Sequence, residues 1–498
     1  MPSWHQHRTT EEGATVEERR NGVHLLTYAD RFGGDLAGLR RLLTDGPFAV
    51  FAGVHILPFF TPYDGDDAGF DPVDHTTVDP RLGDWSDIVA LRDAGLEVTA
   101  DVIVNHVSAD SAEFRDWLAR GADSAYAGMF LTFDTVFPEG GTEAGITAIY
   151  RPRAGLPFTP YEMADGTRRL VWTTFMPSQV DLDVSHPVAR DYLSRVMRTF
   201  AEAGVRTARL DAVGYAVKTA GTDSFMTDET LAFVSEVTEL AHAEGLEVLV
   251  EVHAHHSQQR AVAAVTDLVY DFALPPLLLQ ALETGETARL AEWLEVRPAN
   301  AITVLDTHDG IGVIDAGPAR EWPGLMDHDE MAAVFEVAAR RTGGESARFS
   351  TPVAWAELPH QVNSTFYSVL GEDDDAYLLA RAFQLFTPGR PQVYYVGLLA
   401  GSNDVALAEE TGVGREINRH RYTTEEIEAA LERPVVRSQL ELIRLRGSHP
   451  AFDGSFSWSR EGEGVLVLTW TNGEHRAELR ADLAGRTHAV TATERPGA

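Results

Sequence analysis

Apolar residues recur along the chain in short, nearly continuous runs, as in strands buried on both faces: residues 22–27, 50–58, 96–104, 205–210, 246–252, 268–272, 301–305 and 392–396. Helical periodicity fills several of the gaps. In 187–203, Val188, Tyr192, Val196 and Phe200 share one face, with Ser185 expected as the cap and Gly204 as the stop. In 229–244, Leu231, Val234, Val237, Leu240 and Ala241 face inward and Gly245 follows. Alternating strand and helix predict parallel βαβ units, and eight of them make an α/β fold of the (β/α)8 barrel type.

The spacing of the runs is uneven. Long stretches separate the third strand from the approach to the fourth (107–178) and the seventh from the eighth (310–371). In a barrel such insertions sit at the C-terminal face and shape the site. After Pro450 the period drops to two over 464–470, 475–483 and 487–493, which predicts a small antiparallel β domain. The expected organisation is a barrel from 1–106, 179–309 and 372–449, an inserted domain at 107–178 after strand 3, an insertion at 310–371 after strand 7, and a C-terminal β domain at 450–498. The acidic run from Glu372 to Asp375 reads as a solvated loop.

Composition narrows the function. The chain has 498 residues, 44% hydrophobic and 23% charged, enough to bury a large core. It lacks cysteine, which removes disulfides, thiolate metal sites and cysteine nucleophiles together and fits a reducing compartment. With 76 Asp plus Glu against 41 Lys plus Arg the formal charge is −35, so nucleic acid and anionic membranes are repelled. An anionic substrate therefore needs a locally built cationic site. Lys218 is the sole lysine. Residues 1–21 are polar and predict no secretory signal, and the apolar stretch 50–60, broken by His55 and Pro58, falls short of the roughly 20 residues of a membrane helix. A cytoplasmic location is expected, with no nucleic-acid or membrane partner, and pairing into a homodimer stays open.

Ionisable residues close several of the apolar runs, where a barrel keeps its chemistry. Strand three ends in Asp101-Val-Ile-Val-Asn105-His106, strand four in Arg209-Leu-Asp211, strand five in Glu251-Val-His253 and strand seven in Leu305-Asp306-Thr-His308-Asp309. A lone charge there is as readily a structural ion pair. Three carboxylates, each with an adjacent Arg or His, point instead to glycoside chemistry by a nucleophile and a proton donor. Arg209, two residues from Asp211 on one strand face, is expected to hold that carboxylate ionised. Glu251, set in Val-Leu-Val-Glu-Val, is expected to lie among apolar neighbours that favour its protonated form.

These four segments resemble, in order and spacing, the signature regions of glycoside hydrolase family 13, the α-amylase family. Longer strings are similar to its sucrose phosphorylase branch: Gly53-Val-His-Ile-Leu-Pro-Phe-Phe60, Asp67-Ala-Gly-Phe-Asp-Pro72, Tyr150-Arg-Pro-Arg153, Tyr270-Asp-Phe-Ala-Leu-Pro-Pro276 and Gly414-Arg415. The resemblance implies that 107–178 is that family's domain B, and that Asp211 is the nucleophile, Glu251 the acid/base and Asp309 the stabiliser of the transition state. It implies a glucosyl pocket of Asp67, Phe70, His106, Phe175, Arg209, His308 and Arg415, with Arg153 and His253 holding inorganic phosphate. No metal is expected, because the acidic residues lack ligand-loop spacing, and no organic cofactor, because no phosphate-cradling glycine motif is present.

The acceptor loop, Glu357-Leu-Pro-His360-Gln361-Val-Asn-Ser, departs from the branch. Leu358 stands where an aspartate is expected and His360 where a tyrosine is, while Gln361 matches. Losing a carboxylate and gaining an imidazole favours a second anion, which points to sucrose 6'-phosphate as donor and fructose 6-phosphate as leaving group. The alternatives are plain sucrose, which Pro152 matches, another α-glucoside such as glucosylglycerol, and water or a sugar as acceptor. A non-catalytic carbohydrate-binding scaffold is disfavoured by the intact trio.

Overall fold

The computed structural model describes residues 22–152, 155–319, 322–350 and 358–493. Eight parallel strands close a barrel in chain order: β1 (His24–Thr27), β2 (Gly53–Ile56), β3 (Glu97–Ile103), β4 (Thr207–Asp211), β5 (Glu247–Val250), β6 (Leu268–Asp271), β7 (Ala301–Thr303) and β8 (Arg390–Tyr394). Each lies within or against one of the eight apolar runs. β5 stops at Val250 and β8 at Tyr394, short of the expected ends, because the chain leaves the ladder there; after β8 it turns into the helix Tyr395–Leu398.

The helix Pro187–Ala203 has the predicted span, but its cap is His186, whose Nδ1 accepts the Val188 N–H at 3.3 Å, and not Ser185. Proline is preorganised for the first helical position, which leaves the residue before it as the cap. The next helix, Asp228–Ala243, begins one residue early because Thr227 caps it. Leu231 and Leu240 are half-buried in it, and Phe233 and Thr230 take fully buried places.

The barrel interior is partly polar, and this polarity positions the site. Register sets Arg209 of β4 beside Asp101 of β3. Arg209 Nη1 donates to Asp101 Oδ1 at 2.6 Å, Asp101 Oδ2 lies 3.0 Å from His55 Nε2, and Tyr270 O–H donates to Gln392 at 3.0 Å. Tyr270 also joins Leu249, Leu268, Phe272, Ile302 and Val304 in an apolar cluster.

The first insertion leaves on His106–Ser108 and returns on Gln179–Asp181, which pair antiparallel. Between them stand the helix Ala112–Arg120 and the hairpin of Phe158–Glu162 with Arg168–Trp172, around a small core of Leu131, Val136, Phe137, Ile149 and Trp172. Lys218 pins the ribbon to the barrel. Its buried Nζ lies 2.8 Å from Asp181 Oδ2, donates to Asn105 Oδ1 at 2.9 Å, and also donates to the Tyr215 carbonyl. The second insertion is tied by a ribbon of Ile311–Gly312 with Gln361–Val362.

The acidic run Glu372 to Asp375 is more than a solvated loop. Asp373 caps the helix Asp374–Phe386, and Asp374 and Asp375 lie in its first turn, where the helix dipole favours negative charge. The C-terminal domain has four antiparallel strands, not three: β9 (Ser455–Glu461), β10 (Val465–Asn472), β11 (His475–Asp482) and β12 (Thr487–Ala492). β9 is an edge strand whose alternation, half-buried Phe456 and Trp458 between more exposed serines, is short and weak. Trp470 docks this sheet on the barrel by donating its indole N–H to the Phe386 carbonyl at 2.7 Å.

Candidate active site

The expected residues converge at the C-terminal mouth of the barrel, on a cavity of about 650 Å³. Its walls include Asp67, Phe70, His106, Phe175, Asp211, Glu251, His253, His308, Asp309, His360, Gln361 and Arg415. Arg209 lies beneath, fully buried, with its guanidinium 5.4 Å from the Phe70 ring centroid. Arg153 and Glu357 lie outside the described residues. So do residues 1–21, on which the expectation about a secretory signal rests.

Asp211 ends β4, and the next residue, Ala212, has a left-handed backbone at φ 55°, which a side chain adopts at a cost of roughly 1–2 kcal/mol. The turn lifts the chain away from the sheet immediately after the carboxylate. Arg209 Nη1 donates to Asp211 at 2.6 Å, but gives an equal contact to Asp101, and its Nη2 lies 3.8 Å from Glu251. One cation is thus divided among three carboxylates. Burial, with Glu251, Asp101 and Asp309 nearby, outweighs Arg209 and raises the Asp211 carboxyl above the ordinary range. The expectation that Arg209 holds it ionised is therefore not met, because a cation divided in this way does not offset burial and the neighbouring carboxylates.

The apolar surroundings expected for Glu251 are not found either. Val250 and Val252 alternate away from it, and its carboxylate meets His253 Nε2 at 3.4 Å as well as Arg209. Asp309 is the opposite case from Asp211. Although burial works against it, Arg415 at 2.7 Å, His308 and Arg419 at 3.7 Å hold its carboxyl well below the usual range. Arg415 comes from the short turn Gly414–Asn418, and the buried Arg419 also donates to the His308 carbonyl at 2.7 Å.

One side of the cavity has an aromatic floor. Phe70 stacks on His308 with centroids 4.9 Å apart and 8° between planes, and Phe175 packs against His106 at 5.3 Å. Burial lowers both imidazoles, which favours their neutral forms. A further wall is formed by Tyr150, Arg151, Pro152, Tyr215 and Phe225, of which the sequence motifs include only Tyr150 to Pro152. Arg419 and Asp315 were missed as well. Each lies a few residues beyond a quoted motif, and only the fold brings it back.

On another wall burial opposes the charge of His253, but Asp315 at 2.9 Å, then Glu251 and Asp309, push it up to about 9. His360 is its counterpart. Burial and the charge of His253 lower it, and its ring lies parallel to Tyr150 at 6.3 Å. The two imidazoles are thus shifted in opposite directions. Among the described residues, Glu251, His253 and Asp309 have ligand atoms within 4.8 Å of one another and could grip a metal ion. The proton on His253 competes with that use.

Comparison with known proteins places this geometry. Residues 11–287 match the family model for the α-amylase catalytic domain. The chain is 50% identical over 477 residues to a sucrose phosphorylase of Agrobacterium vitis, covering 95% of this chain and 97% of that one. It is 48% identical over 465 residues to a sucrose phosphorylase of Bifidobacterium adolescentis, covering 92% of each. Among solved structures it resembles a sucrose 6F-phosphate phosphorylase from Thermoanaerobacter thermosaccharolyticum, with a TM-score of 0.89, 38% identity and 96% of each chain covered. Among the described residues no helix is long and apolar enough to cross a membrane. A barrel mouth with three converging carboxylates, in a chain this close to those relatives, belongs to the α-amylase family, glycoside hydrolase family 13, in its sucrose phosphorylase branch, and the protein is a glucosyl-transferring enzyme.

Proposed function

We propose that the enzyme is a retaining phosphorylase that moves an α-glucosyl group from sucrose 6'-phosphate to inorganic phosphate. Asp211 attacks the anomeric carbon, the bond to the fructosyl oxygen breaks, and Glu251 gives that oxygen its proton. A β-glucosyl ester on Asp211 results, with fructose 6-phosphate released. A phosphate oxygen then attacks the same carbon from the vacated face, the ester bond breaks, and the Glu251 carboxylate takes the phosphate's proton. The products keep the α configuration as glucose 1-phosphate. Asp309, held ionised by Arg415 and Arg419, steadies the positive charge that develops on the sugar through its hydroxyls.

The observation that carries the choice of donor is the pair of imidazoles at the acceptor end. His253 is charged and His360 is kept neutral partly by that charge, so a phosphoryl dianion between them reverses the sign of the effect and draws a proton onto His360. With a neutral fructosyl group only the incoming inorganic phosphate would give His360 that role. Plain sucrose is the second reading, favoured by Pro152 in the cavity wall and by the two sucrose phosphorylase relatives. The test is glucose 1-phosphate release from equal concentrations of the two sugars, with and without phosphate. Preference for the phosphorylated sugar supports the first reading and preference for sucrose the second. Turnover independent of phosphate refutes both.

A further inference from the structure

His253 is gripped from below. Its Nδ1 lies 2.9 Å from Asp315 Oδ2, and its ring stacks on Phe272 with centroids 4.0 Å apart and 15° between planes. Asp315 is fully buried, and its other oxygen accepts the Gln259 Nε2–H at 3.0 Å. It does not line the cavity. It stands in the turn Ile314–Ala316, directly after the ribbon that carries Gln361 and beside the Val313 N–H that donates to the His360 carbonyl at 3.2 Å. Gly312 permits the approach: a Cβ there would fall 2.1 Å from Asp315 Oδ2 and 3.1 Å from His253 Nδ1.

Resting on the phosphorylase reading, we propose that Asp315 is a positioning residue for the acceptor: by engaging Nδ1 it aims the Nε2–H of His253 into the cavity, so that inorganic phosphate and not water meets the glucosyl ester. One two-stranded ribbon then joins the segment that carries His360 and Gln361 to the segment that carries the carboxylate orienting His253. The groups facing His253 are Asp315 below, Glu251 and Asp309 from their strand ends, and His360 across the cavity. Asp315 alone of the four touches Nδ1 and is free of contact with the reacting atoms, so it can be changed without removing a catalytic residue.

The experiment uses the full chain with Asp315→Asn and Asp315→Glu, measuring phosphorolysis against phosphate concentration from pH 6 to 9.5. Hydrolysis of α-glucosyl fluoride without phosphate reports the catalytic trio independently. Losing one charge-assisted hydrogen bond predicts a KM for phosphate about tenfold higher at pH 7.5 in Asp315→Asn, with fluoride hydrolysis retained and a larger share of the ester lost to water. The alkaline limb of kcat/KM for phosphate moves from near pH 9 toward the ordinary imidazole value of about 6.5, and Asp315→Glu restores it. Comparing variant with wild type cancels the ionisation of phosphate itself. Gly312→Ala, whose Cβ displaces the Asp315 carboxylate, gives the same signature if Asp315→Asn does not fold. An unchanged KM and limb with fluoride hydrolysis intact overturns the inference, as does an equal fall in both activities that Glu does not restore. Wild-type enzyme that makes no glucose 1-phosphate refutes the underlying reading instead.

Discussion

Replacing Lys218 by Met removes the cation at the seam between the first insertion and the barrel. The ammonium is only 2% exposed and contacts Asp181, Asn105 and the Tyr215 carbonyl, with the Trp172 ring centroid 5.7 Å away. Asp181 is fully buried, and its remaining partner is Thr174, through the backbone N–H at 3.0 Å and the hydroxyl. At 2.8 Å the Coulomb attraction is about 6 kcal/mol for an effective dielectric of 20, and stranding one partner of such a buried pair costs roughly 3–5 kcal/mol. Lys218→Arg keeps the charge and still destabilises, because a planar fork cannot place one donor among three converging oxygens. Urea unfolding, with protease cleavage between residues 109 and 178 as the local probe, measures the loss. Adding Asp181→Asn to Lys218→Met removes the stranded charge and recovers about half. A single-variant cost below about 1 kcal/mol, or a double variant no better than the single, refutes the argument.

Three further outcomes follow from the same geometry. His360→Tyr shifts the ratio of kcat/KM for sucrose 6'-phosphate over sucrose by about tenfold toward sucrose, and an unmoved ratio defeats the acceptor-loop reading. Glu416→Ala destabilises by roughly 3–5 kcal/mol in urea unfolding, because Glu416 serves the buried Arg31 at 2.7 Å and Arg419 at 3.1 Å together; a loss under 1 kcal/mol excludes it. His253 is raised in the folded state, to about 9 from an unfolded value of about 6.5, so its contribution is complete below pH 6.5 and disappears as pH rises through 9. Thermal midpoints recorded from pH 6 to 10 therefore fall more steeply over that window in wild type than in Asp315→Asn.

The barrel was legible because its strands are buried on both faces and so are written as nearly continuous apolar runs with few polar interruptions. The convergence of Asp211, Glu251 and Asp309 on one cavity was legible because each carboxylate closes or closely follows such a run. β9 was not, since an edge strand with one half-buried face has little pattern to show. Asp315 and Arg419 escaped for a different reason: their partners, His253 and Asp309, lie 62 and 110 positions away. The same distance effect misled the reading of Asp211 and Glu251. Neighbours along the chain suggested a cation for one and apolar walls for the other, whereas across the barrel mouth both face the same arginine. His360 was readable as an imidazole, but the burial that lowers its proton affinity and the added charge of His253 beyond β5 are both products of the fold.

The seat of Lys218 has a consequence for handling the enzyme. The chain's one ε-amine is sealed beneath an ion pair, and burial lowers its proton affinity without exposing it to solvent. Succinimidyl esters and aldehydes therefore find no side-chain amine on the folded surface, and attachment to a support has to go through the abundant carboxylates. An amine-reactive dye that does enter the side chain reports that the seam between insertion and barrel has opened.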